Sequence, residues 1–368
     1  MTSILLAQTA TAEKKALLAP SHQRIVFLGD SITDGNTYPT LVRQALTEAG
    51  YVAPLCINAG IGGDTAAGMR SRFDTTVLAY KPTLVTISAG VNDAFRGVTN
   101  ENYQADVAAM VERAKAASAA VVLLTPSIVD PADSPAATNI LAYGDILRRL
   151  AQTNGLLVAE VHKLMSEART AGRDLLEVDH IHPNYEGQRG IARAVLDALG
   201  YKDVAVPAVP KAALYPGVIT SWVMRATPDK TPPLDDQGVK DLKPNEPWRT
   251  YALPETEPQQ APWLEIERQC GFGLSLDKLI GDGKAKNFLG VAHLDEKAPR
   301  TVYFNAGGDA LQAIWLNGKR IFKFTAPPWP GFHAGGNRVQ AALLKGDNVI
   351  VIETGPMFFL SVTDNHDW

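Results

Sequence analysis

Two kinds of hydrophobic pattern divide the chain. From Arg24 to about Gly200, short apolar runs alternate with longer stretches of helical periodicity. The apolar runs are continuous, which is typical of parallel strands that are buried on both faces. The predicted strands span residues 25–28, 55–57, 84–87, 121–124 and 156–158, and the predicted helices span residues 38–49, 102–117, 138–153 and 184–199.

This alternation predicts a flavodoxin-like, doubly wound α/β domain over residues 24–200. Strand–helix–strand units form a parallel sheet with right-handed connections, so every strand's carboxyl end lies at one edge. Ligands bind at that edge, near the point where the strand order reverses. If the order is 2-1-3-4-5, residues that follow the first and third strands meet across this crevice.

The C-terminal part shows the alternation and turn signals of antiparallel strands. Strands are predicted at residues 301–305, 311–316, 320–323, 348–353 and 358–362. Asn317-Gly318 between two of these runs is a strong hairpin signal. We therefore expect an all-β sandwich over residues 263–368.

Between these parts, residues 201–262 are rich in proline. Eleven of the 24 prolines fall between Pro207 and Pro262. Proline fixes φ and lacks a backbone N–H, so this density disfavours helices and central strands. We interpret the segment as an extended surface connection with one or two edge strands, which can be the first strands of the following domain. Residues 218–220 are the best candidate.

The first 23 residues have two interpretations. A short apolar run followed by Ala10-Thr11-Ala12 is similar to the end of a signal peptide with its cleavage site, but no basic region precedes it. The alternative is an ordinary mobile terminus.

Composition excludes several classes of protein. A length of 368 residues favours two or three domains. The 35 basic and 39 acidic residues give a net charge of −4, which disfavours a nucleic-acid binder. No apolar run is long enough for a membrane-spanning helix. Two cysteines cannot form a disulfide framework or a Cys-based zinc site.

Four motifs follow predicted strands. Ser31 lies in Gly29–Gly35 at a strand-to-helix turn, where its Oγ is exposed and its N–H can donate to an oxyanion; the alternative is a helix N-cap. The second motif, Asn58–Thr65, contains glycines whose N–H groups can approach a ligand closely. The alternative is a strand-to-helix turn in which Asp64 or Thr65 caps the helix. In the third motif, Gly90–Asp93, the Asn92 amide can donate to an oxyanion, whereas Asp93 is expected to accept loop N–H groups.

The fourth motif, Asp179–Pro183, precedes the last helix. Asp179 can accept from Nδ1–H of His182, which leaves Nε2 to take a proton from a serine. A His-x-His metal pair at His180 and His182 is the alternative, but no third ligand has a suitable spacing, so we expect no metal.

In these four blocks the sequence resembles the SGNH, or GDSL-type, hydrolase family, over about half of the chain. The resemblance implies hydrolysis of an ester or thioester through an acyl-serine intermediate, without a cofactor. It implies Ser31 as the nucleophile, His182 as the general base and Asp179 as the residue that orients His182. It also implies an oxyanion hole formed by the backbone N–H groups of Ser31 and Gly63 and the side-chain amide of Asn92.

Two positions in this resemblance need comment. Gly60, Gly62 and Gly63 all compete for the glycine role, and Gly63 is chosen because it directly precedes Asp64-Thr65. Val91 stands where many family members have a second glycine, which should not affect a donor in the Asn92 side chain.

The substrate depends on weaker signals. The C-terminal part loosely resembles galactose-binding-like jelly rolls, through Trp315–Lys319 and Leu344–Asn348. We therefore expect a small-molecule or polysaccharide ester and, most simply, a carbohydrate O-acetylesterase. The alternatives are a lipase, lysophospholipase or thioesterase acting on longer acyl chains, and a non-catalytic carbohydrate-binding protein.

All six tryptophans follow residue 200, and most are expected in the sandwich core. Trp329 lies in a proline-rich loop and is the candidate for a substrate contact. The N-terminal pattern and the jelly-roll resemblance favour export to the periplasm or beyond, with a cytoplasmic location as the alternative. The sequence predicts no oligomeric state.

Overall fold

The computed structural model describes residues 23–211, 215–228, 231–243, 248–252, 287–307, 311–324, 337–355 and 358–364. The described chain divides into two compact units, one that ends at Lys211 and one that follows it. The predicted signal remnant within residues 1–22 and the candidate Trp329 lie outside the described residues.

A five-stranded parallel sheet forms the centre of the first unit. Its strands are β1 (Arg24–Gly29), β2 (Leu55–Gly60), β3 (Leu84–Ser88), β4 (Ala120–Leu124) and β5 (Leu157–Ala159). Their order is β2-β1-β3-β4-β5, and every neighbouring pair is parallel. This confirms the predicted flavodoxin-like order, in which β1 and β3 are adjacent and their carboxyl ends share one edge.

The connections of this unit are helical. The helices are α1 (Ser31–Asp34), α2 (Thr37–Glu48), α3 (Ala66–Thr76), α4 (Val91–Phe95), α5 (Asn100–Ala116), α6 (Pro135–Asn154), α7 (Val161–Thr170) and α8 (Tyr185–Ala198), with a 3₁₀ turn at Leu78–Tyr80. The four predicted helices correspond to α2, α5, α6 and α8. The sequence analysis missed α3 and α7, although Met69/Phe73 and Val161/Met165 are apolar pairs at helical spacing.

Burial and caps explain why these elements form. All of β1 except its first residue is buried, as expected for a strand covered by helices on both faces. Side-chain oxygens of Thr65, Thr99, Ser134 and Asn184 accept the first free N–H groups of α3, α5, α6 and α8. Such caps satisfy donors that a helix leaves unpaired at its start.

Residues 201–211 lie against α8. Arg193 donates to the carbonyl oxygens of Tyr201 and Val204, and Arg189 donates to that of Pro207. This part of the proline-rich segment is therefore held by the α/β unit through arginine side chains.

The second unit consists of two antiparallel sheets. Its strands are β6 (Ser221–Thr227), β7 (Arg249–Ala252), β8 (Asn287–Glu296), β9 (Arg300–Gly307), β10 (Leu311–Leu316), β11 (Lys319–Lys323), β12 (Asn337–Leu343), β13 (Gly346–Thr354) and β14 (Phe359–Thr363), and its short helix is α9 (Asp236–Lys240). One sheet has the order β11-β10-β13-β8-β6-β7 and the other β12-β9-β14. The all-β prediction is confirmed, and the jelly-roll assignment stays a prediction.

The structure corrects the interpretation of the proline-rich segment. Residues 218–220 were expected to form an edge strand, but Val218 makes only an isolated bridge to Ser361. The strand is β6, which pairs with β7 on one side and β8 on the other. Residues 217–227 contain no proline, so every N–H needed for two ladders is present.

Tryptophans form part of both apolar clusters in this unit. Trp222 is buried between the sheets with Phe288, Phe304 and Leu360. Trp315 is buried on the outer face of the larger sheet, and its Nε1–H donates to Asp236 in α9 (3.0 Å). Trp222 thus lies in the sandwich core as expected, whereas Trp315 is buried in a separate cluster outside that core.

Among the residues that the structure describes, no helix is long and apolar enough to cross a membrane.

Candidate active site

Ser31 lies in the turn between β1 and α1. Asp30 precedes it as the N-cap residue, and its carboxylate accepts the N–H of Ile32 at 3.0 Å. Ser31 is the first residue of the helix, so its own N–H has no partner within the helix. The capping alternative and the exposed-serine interpretation are therefore compatible, because Asp30 caps the helix and Ser31 remains accessible.

His182 and Asp179 meet Ser31 at the carboxyl edge of the sheet. The Ser31 hydroxyl lies 2.7 Å from His182 Nε2, although the two residues are 151 positions apart. Nδ1 of His182 lies 2.5 Å from Oδ2 of Asp179. A histidine that donates from Nδ1 to a carboxylate has Nε2 free to accept a proton from a hydroxyl.

Asp179 also fixes the loop that carries it. Its Oδ1 accepts the N–H groups of Ile181 and His182, both at 2.9 Å. His180, between Asp179 and Ile181, has a φ of +61°, a left-handed conformation that turns the loop. Oδ1 of Asp179 thus holds the loop backbone, and Oδ2 orients the imidazole of His182.

Hydrogen bonding keeps Asp179 ionised. Partial burial alone would raise its pKa. The His182 ring and the backbone N–H groups of His182 and Ile181 outweigh that effect and hold the pKa at about 2.

The structure distinguishes the three competing glycines. A Cβ on Gly60 would lie 2.2 Å from the N atom of Asp34, so Gly60 is required for close packing. The N–H of Gly62 donates to Asp34 Oδ2 at 3.2 Å. Gly63 has a φ of +77°, and among the described residues none accepts its N–H. Of the three, Gly63 is the one with a donor available to a ligand.

Asn92 lies beside Ser31, across the β1–β3 boundary. Its amide nitrogen donates to the carbonyl of Asp64 at 3.0 Å and to Asp30 Oδ2 at 3.3 Å. Val91, which precedes Asn92, is the first residue of α4. Because its conformation is helical, this position does not require the glycine that many family members have. Asn92 is therefore held from two sides at the edge of the site.

Asp93 ties two loops together, as expected. It is fully buried, and both its oxygens accept the N–H of Ala66 at 3.1 Å, at the start of α3. Burial raises its pKa to about 6. Asp64, two residues before Ala66, forms an ion pair with the buried Arg72 at 2.8 Å.

Asp30 is the most perturbed acid of the site. Only 2% of it is exposed, and burial raises its pKa to about 7. The hydrogen bond from Ile32 and the nearby His182 lower the pKa, while Asp93 and Asp64 raise it further. A buried carboxyl group with a raised pKa thus lies directly beside Ser31.

A small open depression contains the assembled residues. Its volume is about 310 Å³, and its lining is Ser31, Ile32, Gly63, Val91, Asn92, Phe95, Ile181 and His182. Phe95 is 49% exposed, and Val178, directly before Asp179, is 95% exposed. Ser31 therefore lies in a shallow depression whose lining includes the exposed Phe95.

The sequence analysis did not single out Asp30, Asp34, Phe95 or Arg96. Asp30 and Asp34 lie inside the first motif, but nothing in it indicates which backbone groups they bind. Arg96 donates to the carbonyl of Gly63 at 2.8 Å from a different loop. Only the three-dimensional neighbourhood reveals these contacts.

The sequence of the first unit is similar to a known protein family and to two esterases. Residues 27–189 match the GDSL-like lipase/acylhydrolase family. An acetylxylan esterase from Geobacillus stearothermophilus is 26% identical over 210 residues, which cover 50% of this chain and 96% of that protein. The esterase TesA from Pseudomonas aeruginosa is 33% identical over 127 residues, which cover 33% of this chain and 58% of that protein.

Two solved structures extend the comparison. An α/β hydrolase from the metagenome of Lake Arreo, Spain, is 26% identical with a TM-score of 0.47, and the match covers 50% of this chain and 98% of that one. The G. stearothermophilus acetylxylan esterase is 25% identical in its crystal structure, with a TM-score of 0.46 and coverages of 50% and 97%.

The sequence matches and the parallel α/β architecture define the protein as a carboxylic ester hydrolase. More narrowly, the N-terminal half of the chain contains a GDSL-like lipase/acylhydrolase (SGNH) domain, which the family match places at residues 27–189.

Proposed function

We propose that the protein removes acetyl groups from a carbohydrate through an acyl-serine intermediate. The observation that carries the proposal is the continuous chain of hydrogen bonds from Asp179 through His182 to Ser31, which opens into a small depression. The similarity to an acetylxylan esterase over 96% of that protein's length favours acetate as the acyl group.

In the proposed reaction, Ser31 Oγ attacks the ester carbonyl while His182 Nε2 takes its proton. The ester C–O bond then breaks, and His182 returns the proton to the leaving alcohol. Water attacks the acyl-serine in the same way, which releases the acid and restores Ser31. Ionised Asp179 stabilises the imidazolium that forms in each half-reaction.

Three donors are available for the oxyanion. They are the N–H groups of Ser31 and Gly63 and the amide of Asn92. Asn92 would exchange its longer bond, 3.3 Å to Asp30, for the oxyanion and keep the bond to Asp64 as its anchor. Removing one such donor typically costs about 10²- to 10³-fold in kcat.

The size of the depression supports a short acyl group. Its volume of about 310 Å³ lies at the lower end of ordinary ligand sites, which span about 300–1,000 Å³. Ile32 and Val91 are buried in its wall, so the lining leaves little room to extend inward.

A second candidate is a hydrolase of longer acyl chains. The exposed Phe95 favours it, because an apolar side chain in the lining can contact an acyl chain that lies along the surface. The two candidates share the same reaction and differ only in the acyl group.

A series of p-nitrophenyl esters of increasing chain length tests the proposal. We expect a sharp preference for acetate and release of acetate from an acetylated polysaccharide. Ser31→Ala should abolish turnover with the fold intact, while Ser71→Ala, on the exposed face of α3, should behave as wild type. A preference for octanoate or longer esters would favour the second candidate, and activity in Ser31→Ala would refute the acyl-serine mechanism.

A further inference from the structure

The donor at Gly63 lies in a β-turn with two glycines at its centre, closed by the Asp64 N–H, which donates to the Ile61 carbonyl at 3.1 Å. Gly62 and Gly63 are adjacent glycines, and Gly63 has a φ of +77°, which glycine adopts without strain. Glycine also loses more conformational freedom on ordering than any other residue. A peptide of this kind gives a precise hydrogen-bond direction only if other groups hold it.

Two side chains bind this glycine pair. Asp34 Oδ2 accepts the N–H of Gly62 at 3.2 Å. Arg96 Nη2 donates to the carbonyl oxygen of Gly63 at 2.8 Å. The contacts lie at the two ends of the glycine pair, so they restrain the peptide group between them, which carries the Gly63 N–H.

The two side chains come from the elements that carry the other oxyanion donors. Asp34 is the last residue of α1, which begins with Ser31. Arg96 directly follows α4, which contains Asn92. The glycine pair is thus tied to both neighbouring donors, and a shift in one element would be transmitted to the other two.

Other hydrogen bonds also hold the backbone of both loops, including the Arg96 N–H to the Asn92 carbonyl at 3.0 Å. The backbone of Asp34 is already held by Asn58, whose amide donates to the Asp34 carbonyl at 2.7 Å. Arg96 is exposed, and surface hydrogen bonds contribute little to stability. Burial also raises the pKa of Asp34 to about 6, against the hydrogen bond from Gly62 and the attraction of Arg72. A carboxylate kept in such a place points to a role other than stability.

We propose that Asp34 and Arg96 are positioning residues that hold the Gly62–Gly63 peptide so that the Gly63 N–H meets the oxyanion. The inference rests on the proposed function, because it needs an oxyanion at this site. Neither side chain lines the depression, so we expect both to act on the transition state more strongly than on substrate binding.

Steady-state hydrolysis of p-nitrophenyl acetate tests the role of Arg96. Arg96→Ala should lower kcat by about 10- to 100-fold and leave KM nearly unchanged, since a donor displaced by about 1 Å costs about 10²-fold. Adding guanidinium ion below denaturing concentrations should restore part of the lost kcat. Arg113→Ala is the matched control, because Arg113 also donates to a backbone carbonyl at 2.8 Å, but that carbonyl belongs to Arg70, outside the site. This control should keep wild-type kcat.

Asp34 is tested by two substitutions. Asp34→Asn keeps an acceptor oxygen for the Gly62 N–H and should retain most of the activity, whereas Asp34→Ala should lose about 10- to 100-fold in kcat. Because both side chains act on one peptide, the double variant Asp34→Ala/Arg96→Ala should lose less than the product of the single effects. If Asp34→Ala does not fold, the Arg96 measurements decide the question.

Two results would overturn the inference. One is an unchanged kcat in Arg96→Ala, and the other is a raised KM at constant kcat, which would make Arg96 a substrate contact. Ser31→Ala is assayed in parallel with Arg96→Ala. Activity in Ser31→Ala would refute the proposed function itself, so the two failures are distinguishable.

Discussion

Asp30 provides the strongest test of the electrostatics beneath the site. Its carboxyl group is buried, and its pKa is about 7, against an ordinary value of 3.8. The native state therefore binds the Asp30 proton more tightly than the unfolded chain does. The stabilisation from this proton is complete below about pH 4 and is lost as the pH rises to about 7.

The size of the effect follows from the pKa difference. About three pKa units correspond to about 4 kcal/mol of unfolding free energy at 1.36 kcal/mol per unit. Asp30→Asn removes the titration but keeps an oxygen that can accept the Ile32 N–H. The stability of Asp30→Asn relative to wild type should therefore rise by about 4 kcal/mol between about pH 4 and pH 8.

Urea unfolding at a series of pH values measures this difference. Helices lie mainly in the first unit, so far-UV circular dichroism follows that unit. The buried Trp222 and Trp315 lie in the second unit, so the fluorescence change that accompanies their exposure should be unaffected. Asp235→Asn is the control, because it removes the charge of the residue that caps the short helix α9 in the second unit and keeps an oxygen that can accept the Gly238 N–H.

A constant difference between Asp30→Asn and wild type across this pH range would refute the reasoning. A rise in the stability of Asp30→Asn relative to wild type as the pH falls would do so as well, because it would mean that the native state holds Asp30 ionised.

Two further predictions concern the oxyanion loops. Asn92→Ala should lower kcat on p-nitrophenyl acetate by about 10²- to 10³-fold, and an unchanged kcat would remove Asn92 from the site. Gly60→Ala should lower the unfolding free energy by about 1–3 kcal/mol and reduce activity, because the new Cβ would lie 2.2 Å from the backbone of Asp34. Gly144→Ala is its control in the interior of α6, where the nearest atom to a new Cβ is the end of Arg148 at 3.5 Å, so stability should be kept or improved.

The sequence was most informative where local patterns repeat. Continuous apolar runs located all five parallel strands, and the positions of the motifs after the strands brought Ser31 and Asn92 together once the order 2-1-3-4-5 was assumed. Composition was less informative in the proline-rich segment, where β6 was missed because the proline count was taken over the whole segment. The proline-free window of residues 217–227 was the better signal.

In the candidate site, some residues could be predicted from motifs, and some contacts could not. Ser31, Asp179, His182 and Asn92 could be found from motifs, because each follows a strand end or precedes a helix. The contacts of Asp34 and Arg96 with the glycine pair could not, because they join a side chain in one loop to a backbone group in another. Hydrogen bonds of that kind have no sequence spacing.

The sequence by itself determined the order of elements, the two-part organisation of the chain and the residue types at the carboxyl edge of the sheet. These follow from periodicity and from the right-handed connection of parallel strands, both of which are local or topological. Only the tertiary structure decided which glycine offers a free N–H, which carboxyl groups are buried and how the donors are tied together. Those properties depend on the left-handed turn at Gly63 and on desolvation of Asp30, and both arise only when distant loops pack against each other.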